Sequence, residues 1–344
     1  MKNLTRKLTL AACLLVSIQS FAGNSDSSTY YFNKGVEEKK NKRWLVAHQA
    51  FEKSIEFNPK YAEAYLENAA VLLEMRRTDK AKENYTRLHE LQPGNKAAIK
   101  ELADLYFSYR QYDKAIEFAK KCTDCANANR IIGMSYYQQE DYAAAEKALQ
   151  AALKQNPADA EATYTMARTY LDMEAYKQAI PWYEKAIAME GAKNSWMYEL
   201  GLLYYNNNDY PNAVTAFKKA AANGYEQKND FNENLGYASL YAGDYDKGEE
   251  LLLGILKRKP NNTTLLRDMA EIFYQQKQYD RSLGYCQKLM EIDPKDGKAL
   301  YQAGLCFQKK GQKDRGQQMC DKAIEMDPSL DKLRKKKEMP GGGI

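Results

Sequence analysis

Apolar and polar positions along this chain fall into short blocks with helical spacing. Between residues 200 and 220, Leu200, Leu203 and Tyr204 follow i, i+3, i+4 spacing, and a second block with similar spacing contains Val214 and Phe217. A short polar turn separates the two blocks. The pattern predicts an all-α chain built from pairs of short amphipathic helices.

The helix pairs recur with a period near 34 residues, which prolines mark because proline cannot continue a helix. The marking prolines are Pro59, Pro93, Pro157, Pro260, Pro294 and Pro328. Two positions in every period hold a small residue, where helices must approach closely. The first holds Gly35, Ala69, Ala103, Gly133, Ala167, Gly201, Gly236, Ala270 and Gly304, and the second holds Ala47, Ala81, Ala115, Ala145, Ala179, Ala213, Gly248, Ser282 and Gly316.

This pattern resembles the tetratricopeptide repeat (TPR) family over nearly the whole chain that follows the first residues. The resemblance implies a right-handed superhelical solenoid of about nine stacked helix-turn-helix repeats across residues 28–330. Stacking is required because one repeat cannot bury its apolar faces alone. The repeats are predicted to begin at residues 28, 62, 96, 126, 160, 194, 229, 263 and 297.

Residues 331–344 are predicted to form a polar capping helix and a flexible tail after the last repeat. The helix is expected over residues 329–339, with Leu330 and Leu333 facing inward and lysines facing solvent. The Gly-rich end beyond it is expected to fray.

Residues 1–22 are predicted to be a secretory signal peptide. Lys2 and Arg6 lie in a basic start, a short apolar run follows, and Ala22 ends a small-residue cleavage site. An alternative is a lipoprotein anchored through Cys13, because residues 10–13 resemble a lipobox. We therefore expect an exported, periplasmic protein, or else a lipoprotein or secreted one, without a transmembrane span in the mature chain.

Composition argues against nucleic acid as a partner and against catalysis. The formal charge is +5, but the excess lies in residues 1–22 and 331–344, and the body between them carries about −1. His48 and His89 are the two histidines and lie in different repeats. We therefore expect no catalytic residues, no metal and no cofactor.

The repeat that begins at residue 96 is about four residues short, and Cys122 and Cys125 lie at the cut. The second helix is expected to end near Cys122. A redox motif would place the pair at the start of a helix after a strand, and zinc would need two more ligands. A local disulfide, or two inert thiols, is therefore favoured.

Three further cysteines, Cys286, Cys306 and Cys320, lie in the last two repeats at positions that pack between helices. They are expected to be small core residues. A disulfide is the alternative, with Cys286–Cys306 favoured by register.

As the TPR resemblance implies, the first helix of each repeat lines a concave groove that binds a peptide or protein segment. The predicted groove residues are rich in Tyr and Arg, which are common at binding hot spots. They are Arg130, Met134, Tyr137, Tyr164, Arg168, Tyr198, Tyr205, Tyr237, Tyr241, Arg267, Tyr274 and Tyr301. The Asn residues of TPRs that clamp a terminal carboxylate are absent.

The sequence thus favours a non-enzymatic scaffold that binds a protein or peptide partner, and that belongs to a complex of the cell envelope. Two alternatives stay open: a thiol-active accessory protein that uses Cys122 and Cys125, and a structural scaffold that assembles end to end. A repeat fold alone does not choose among them.

Overall fold

The structure is a computed structural model that describes residues 26–123 and 125–333. Two compact units divide the chain, an N-terminal unit that ends at Ala175 and a C-terminal unit that begins at Tyr176. The boundary falls between the two helices of the repeat that begins at residue 160. The predicted signal peptide and the end of the tail lie outside the described residues.

Both units consist of helices and turns, and the described residues contain no strand. The all-α repeat fold is therefore confirmed. The helices of the N-terminal unit are α1 (residues 26–40), α2 (Trp44–Phe57), α3 (Ala62–Glu74), α4 (Thr78–Leu91), α5 (Lys96–Ser108), α6 (Tyr112–Lys121), α7 (Ala128–Gln138), α8 (Tyr142–Gln155) and α9 (Ala160–Asp172).

The C-terminal unit continues the same alternation of first and second helices, and a 3-10 turn follows its last long helix. Its elements are α10 (Tyr176–Ile187), α11 (Asn194–Asn206), α12 (Tyr210–Ala222), α13 (Asn229–Tyr241), α14 (Tyr245–Leu256), α15 (Thr263–Gln275), α16 (Tyr279–Ile292), α17 (Gly297–Lys309), α18 (Lys313–Met326) and the 3-10 turn Pro328–Leu330.

Each turn within a repeat is closed by one residue in the left-handed backbone conformation. At Lys277, φ is 61°, and the N–H of Gln278 donates to the carbonyl of Phe273 at 2.8 Å, which ends α15. The same repeat position holds Lys42, Arg76, Arg110, Glu140, Glu174, Asn208, Gly243 and Gly311. The sequence did not predict this conformation because most of these residues are not glycine.

The small residues lie where the two helices of a repeat cross. A Cβ atom on Gly304 would lie 2.7 Å from the carbonyl oxygen of Gly316. A Cβ atom on Gly201 would lie 2.6 Å from the Phe217 ring. Both distances are shorter than van der Waals contact, so these positions exclude larger side chains.

Apolar side chains from adjacent repeats pack into shared clusters within each unit. Leu72, Leu88 and Leu102 are fully buried in the N-terminal unit. Phe273 and Leu252 lie in a cluster that extends from α13 to α17 in the C-terminal unit. Because each repeat contributes to its neighbours' cores, the repeats stabilise one another.

The shortened repeat ends its second helix at Lys121, close to the predicted end near Cys122. Helix α6 has 10 residues, whereas α4 and α8 have 14 each. A disulfide joins Cys122 to Cys125, and α7 begins three residues later. The missing turn of helix is thus replaced by a short cross-linked connection.

The C-terminal cap differs from its prediction in one residue. Leu330 is 4% exposed and packs against Ala323, as expected. Residues 331–333 are helical after the 3-10 turn, but Leu333, predicted to face inward, is 51% exposed. Only residues up to 333 of the predicted capping helix are described.

Candidate partner-binding surface

A cavity of about 410 Å³ lies in the N-terminal unit, on the side lined by the first helices of its repeats, where the groove was predicted. It is formed by the C-terminal half of α7, the turn that follows, the start of α8, and one side of α9. Four of the predicted groove residues line it: Met134, Tyr137, Tyr164 and Arg168. Its other lining residues are Gln138, Glu140, Tyr142, Glu161, Thr165 and Asp172.

Hydrogen bonds hold the walls of this cavity in place. The Tyr137 hydroxyl on α7 donates to Asp172 Oδ2 on α9 at 2.6 Å. Burial first, and this hydrogen bond second, raise the pKa of Tyr137 well above its usual value. The phenol therefore stays neutral and keeps its proton on the bond to Asp172.

Arg168 lies between an aromatic ring and a carboxylate at the cavity wall. Its Nη1 donates to the Tyr164 hydroxyl at 3.4 Å, and its Nη2 lies 3.7 Å from Asp172 Oδ2. Arg130 does not line the cavity. Its guanidinium lies 3.6 Å from Asp159 at the start of α9.

In the C-terminal unit, Tyr198 belongs to an aromatic cluster that joins α11 to α13. Its ring stacks on Tyr225, with centroids 4.5 Å apart, and lies 5.7 Å from Phe231. Asn234 Nδ2 donates to its hydroxyl at 2.8 Å. Tyr198 is thus part of the packing between repeats and is only partly exposed.

Tyr205 and Tyr241 form a second aromatic group with Tyr210, the first residue of α12. The Tyr210 and Tyr241 rings stack at 4.6 Å, and Tyr205 meets Tyr210 edge to face at 5.6 Å. Burial, and then the two neighbouring phenols, raise the pKa of Tyr205 to about 12. The structure therefore brings these two predicted residues together.

Tyr237 and Arg267 also donate hydrogen bonds to carboxylates. The acceptor of Tyr237 lies on α15, and the acceptor of Arg267 lies just before α17. The Tyr237 hydroxyl donates to Asp268 at 3.0 Å. Both terminal nitrogens of Arg267 donate to Asp296, at 3.3 and 2.8 Å. Tyr274 packs on Tyr279 at 5.7 Å, and burial raises the pKa of Tyr274 to about 12.

Tyr301 is the one predicted groove residue that the structure buries. It is 7% exposed and packs with Cys320, Ala323 and Leu330. Leu330, in the 3-10 turn after α18, packs against the last repeat. The small exposed part of Tyr301 lines a second cavity with Arg267 and Leu333, so Tyr301 is mainly a core residue at the border of that cavity.

The carboxylates of this surface were missed from the sequence. Glu161 and Asp172 line the cavity in the N-terminal unit, and Glu233 and Asp268 accept hydrogen bonds from Tyr237 in the C-terminal unit. Acidic residues on helices are usually solvated, so their type alone did not mark them. The signal that could have identified them is a recurring arrangement in which a carboxylate lies close to a tyrosine of another helix.

The five cysteines within residues 26–123 and 125–333 divide into one bonded pair and three free thiols. Cys122 and Cys125 form the local disulfide that the sequence favoured. The Cys286–Cys306 disulfide is absent, and Cys286, Cys306 and Cys320 are buried thiols. Cys306 Sγ instead donates to Ser282 Oγ at 3.2 Å, and burial raises the pKa of Cys286 to about 12.

His48 is a buried residue in a polar network. Its Nδ1 lies 2.8 Å from Asn68 Oδ1, while Asn68 Nδ2 donates to Glu52 and Asn84. Because both amide protons are used, Asn68 Oδ1 accepts and His48 Nδ1 donates. Within residues 26–123 and 125–333, no three His, Cys, Asp or Glu side chains are placed to hold a metal ion.

Three family models described as tetratricopeptide repeat match the chain. One matches residues 132–194, 164–226 and 233–297, another residues 72–127, and the third residues 297–330. Together with the helix pairs and the small residues at their crossings, these matches show that the chain belongs to the tetratricopeptide repeat family.

Several proteins of known identity are similar to parts of the chain. The DnaJ protein P58IPK homolog of Arabidopsis thaliana is 22% identical over 85% of this chain and 61% of its own length. Human protein O-mannosyl-transferase TMTC1 is 25% identical over 40% of this chain and 16% of its own length. The type IV pilus assembly protein PilF of Pseudomonas aeruginosa is 24% identical over 43% of this chain and 59% of its own length. The matched region thus spans less than two thirds of each relative.

Solved structures are also similar to parts of the chain. A crystal structure of MamA is 28% identical over 45% of this chain and 93% of that chain, with a TM-score of 0.42. The structure of YrrB, described as a TPR protein with an unusual peptide-binding site, is 20% identical over 52% of this chain and 93% of that chain, also with a TM-score of 0.42.

Among the helices that the structure describes, none combines the length and apolar character needed to cross a membrane.

Proposed function

We propose that this protein is a non-enzymatic interaction scaffold that binds an extended peptide or protein segment along its first-helix surface. The observation that carries the proposal is the cavity between α7, α8 and α9, where Met134, Tyr137, Tyr164 and Arg168 converge. Aromatic rings and a guanidinium offer large contact area and directed hydrogen bonds at low entropic cost.

Contacts within the surface already hold two of its side chains, which favours binding. Tyr137 and Arg168 are held by Asp172 before any partner arrives. A partner therefore orders few side chains of the scaffold, and less of the interaction energy is lost as entropy. The dense Tyr contacts of the C-terminal unit serve the same purpose along Tyr205, Tyr210 and Tyr241.

Affinity capture from an envelope extract tests this function, with the double variant Met134→Ser, Tyr164→Ser beside the unchanged protein. These side chains line the cavity and are partly exposed, so the fold is expected to persist, as circular dichroism would verify. The matched control is Lys147→Glu, Gln150→Glu on the exposed face of α8. A partner lost only with the cavity variant supports the proposal. A partner retained by it but lost with the α8 variant places the site on the second helices and refutes the proposal.

We propose further that the protein acts in the cell envelope after export, as a component of an envelope complex. The support is the basic, apolar and small-residue order of residues 1–22. Mass spectrometry of the mature N-terminus tests this. A chain that begins at Gly23 supports signal cleavage, a lipidated Cys13 supports the lipoprotein alternative, and an intact Met1 in the cytosolic fraction would refute export.

A further inference from the structure

The α7–α9 cavity has aromatic and sulfur-bearing walls. The Tyr137 and Tyr142 rings lie next to each other across the turn in a tilted arrangement, with centroids 6.2 Å apart and planes at 46°. Tyr164 and Met134 complete the apolar part of the wall. Ring faces carry partial negative charge, so a set of rings around one cavity attracts a cation.

The net formal charge of the side chains that line the cavity is negative, like the partial charge of the ring faces. Glu140, Glu161 and Asp172 line it, and Arg168 is its one basic residue, so the lining carries a net charge of −2. A cationic group that enters would lower this repulsion, whereas an anionic group would add to it. The charge of the lining therefore favours a positively charged ligand.

Arg168 shows how this wall holds a guanidinium. Its nitrogens lie 3.4 Å from the Tyr164 hydroxyl and 3.7 Å from Asp172 Oδ2, so one guanidinium already spans a phenol and a carboxylate. The cavity beside it, about 410 Å³ in volume, offers two more rings and two more carboxylates. A guanidinium of a ligand would therefore meet the same two kinds of group, a phenol and a carboxylate.

We propose that this cavity binds an arginine or lysine side chain of the extended partner segment. The inference rests on the proposed function, because it names the chemistry of the residue that enters the groove. The carboxylates Glu140 and Glu161 provide the charge, and the Tyr137, Tyr142 and Tyr164 rings provide the cation–π surface. The partner recognised here is a basic segment rather than an acidic one.

The test uses the full chain labelled at its methionine methyl groups, because Met134 lies in the cavity wall. The signal of Met134 among the 12 methionines is assigned with Met134→Leu. The probes are three acetylated and amidated pentapeptides of alanine whose central residue is arginine, norleucine or glutamate. We expect the Met134 methyl signal to move with the arginine peptide, and much less with the other two.

Substitutions that change the charge of the cavity lining test whether the cavity attracts a positively charged ligand. Glu161→Gln should weaken binding of the arginine peptide by about threefold to tenfold, and Arg168→Gln should strengthen it by a similar factor. Glu83→Gln, an exposed carboxylate on α4, is the matched control and should leave binding unchanged.

A larger shift with the glutamate peptide, an equal shift with norleucine, or no shift with arginine would overturn the inference. These outcomes are distinguishable from failure of the proposed function. If the cavity variant still loses its captured partner while the arginine peptide does not bind, the groove is the site and only its preference for a cation is wrong.

Discussion

The hydroxyl of Tyr137 on α7 donates a hydrogen bond to Asp172 on α9, and this bond joins two adjacent repeats at 2.6 Å. Similar bonds from a tyrosine hydroxyl to a carboxylate of another helix recur through both units. They join Tyr109 to Asp79, Tyr170 to Glu146, Tyr183 to Glu199, Tyr204 to Glu184, Tyr237 to Asp268 and Tyr285 to Glu249. The abundance of tyrosine in this chain therefore serves helix-to-helix bonding as well as surface contact.

Replacement of Tyr137 by phenylalanine should lower the free energy of unfolding by about 1 kcal/mol, because a hydrogen bond to a charged acceptor is lost while the ring remains. Urea denaturation followed by circular dichroism measures the change. Tyr30→Phe is the control, since Tyr30 is 63% exposed, and it should have almost no effect. Equal effects of the two substitutions would mean that the Tyr137–Asp172 bond contributes nothing.

The buried phenols predict a loss of stability in alkaline solution. Tyr205 and Tyr274 have folded-state pKa values of about 12, whereas a phenol in the unfolded chain titrates near 10. Their contribution is thus fully present below about pH 10 and is lost as the pH rises toward about 12. Urea denaturation at successive pH values should show the free energy of unfolding falling across this range, and the fall should be shallower in Tyr205→Phe. A fall of unchanged steepness in that variant would contradict the assignment to Tyr205.

A matched pair of glycine substitutions tests the helix crossings. Gly316→Ala places a Cβ atom 2.5 Å from the carbonyl oxygen of Gly304, so it should destabilise the C-terminal unit by about 1–3 kcal/mol. In Gly284→Ala on α16 the Cβ atom meets no atom within 4 Å, so this change should stabilise by about 0.5–1 kcal/mol. Both are read from thermal or urea denaturation, and destabilisation by Gly284→Ala as large as that by Gly316→Ala would contradict the packing described.

Thiol reactivity separates the scaffold from a thiol-active protein. Cys122 and Cys125 are joined, and Cys286, Cys306 and Cys320 are buried, so native protein should react slowly with a thiol reagent. Unfolding without reductant should release the three buried thiols and leave the disulfide intact. Rapid reaction of two thiols in native protein, abolished by Cys122→Ala and Cys125→Ala, would instead favour thiol chemistry at the shortened repeat.

The repeat architecture could be predicted from sequence because its determinants are local and periodic. Gly201, Ala213 and their equivalents mark each crossing, and prolines mark most repeat ends. The left-handed residues at Lys277 and its equivalents were not predictable, since the tertiary packing of two helices forces a lysine into a conformation that glycine prefers.

The candidate surface was predicted only in part. Met134, Tyr137, Tyr164 and Arg168 do meet at one cavity, because positions on successive first helices share a face. Tyr301 was assigned to that face by the same rule, but it is mainly buried in a cluster with Leu330 at the end of the array. Periodicity places a residue on a face, whereas the contacts at an array end depend on the capping segment, which does not repeat.

Site-specific photo-crosslinking tests the central claim most directly. A photoreactive phenylalanine would replace Tyr164 in the cavity wall, and in a second protein would replace Lys147 on the exposed face of α8. Each protein would be expressed in its native cells and irradiated before lysis. We predict a discrete crosslinked partner from position 164 that is absent from position 147. Crosslinks from position 147 alone would show that partners bind the second helices, and the account of the α7–α9 cavity as the binding site would be wrong.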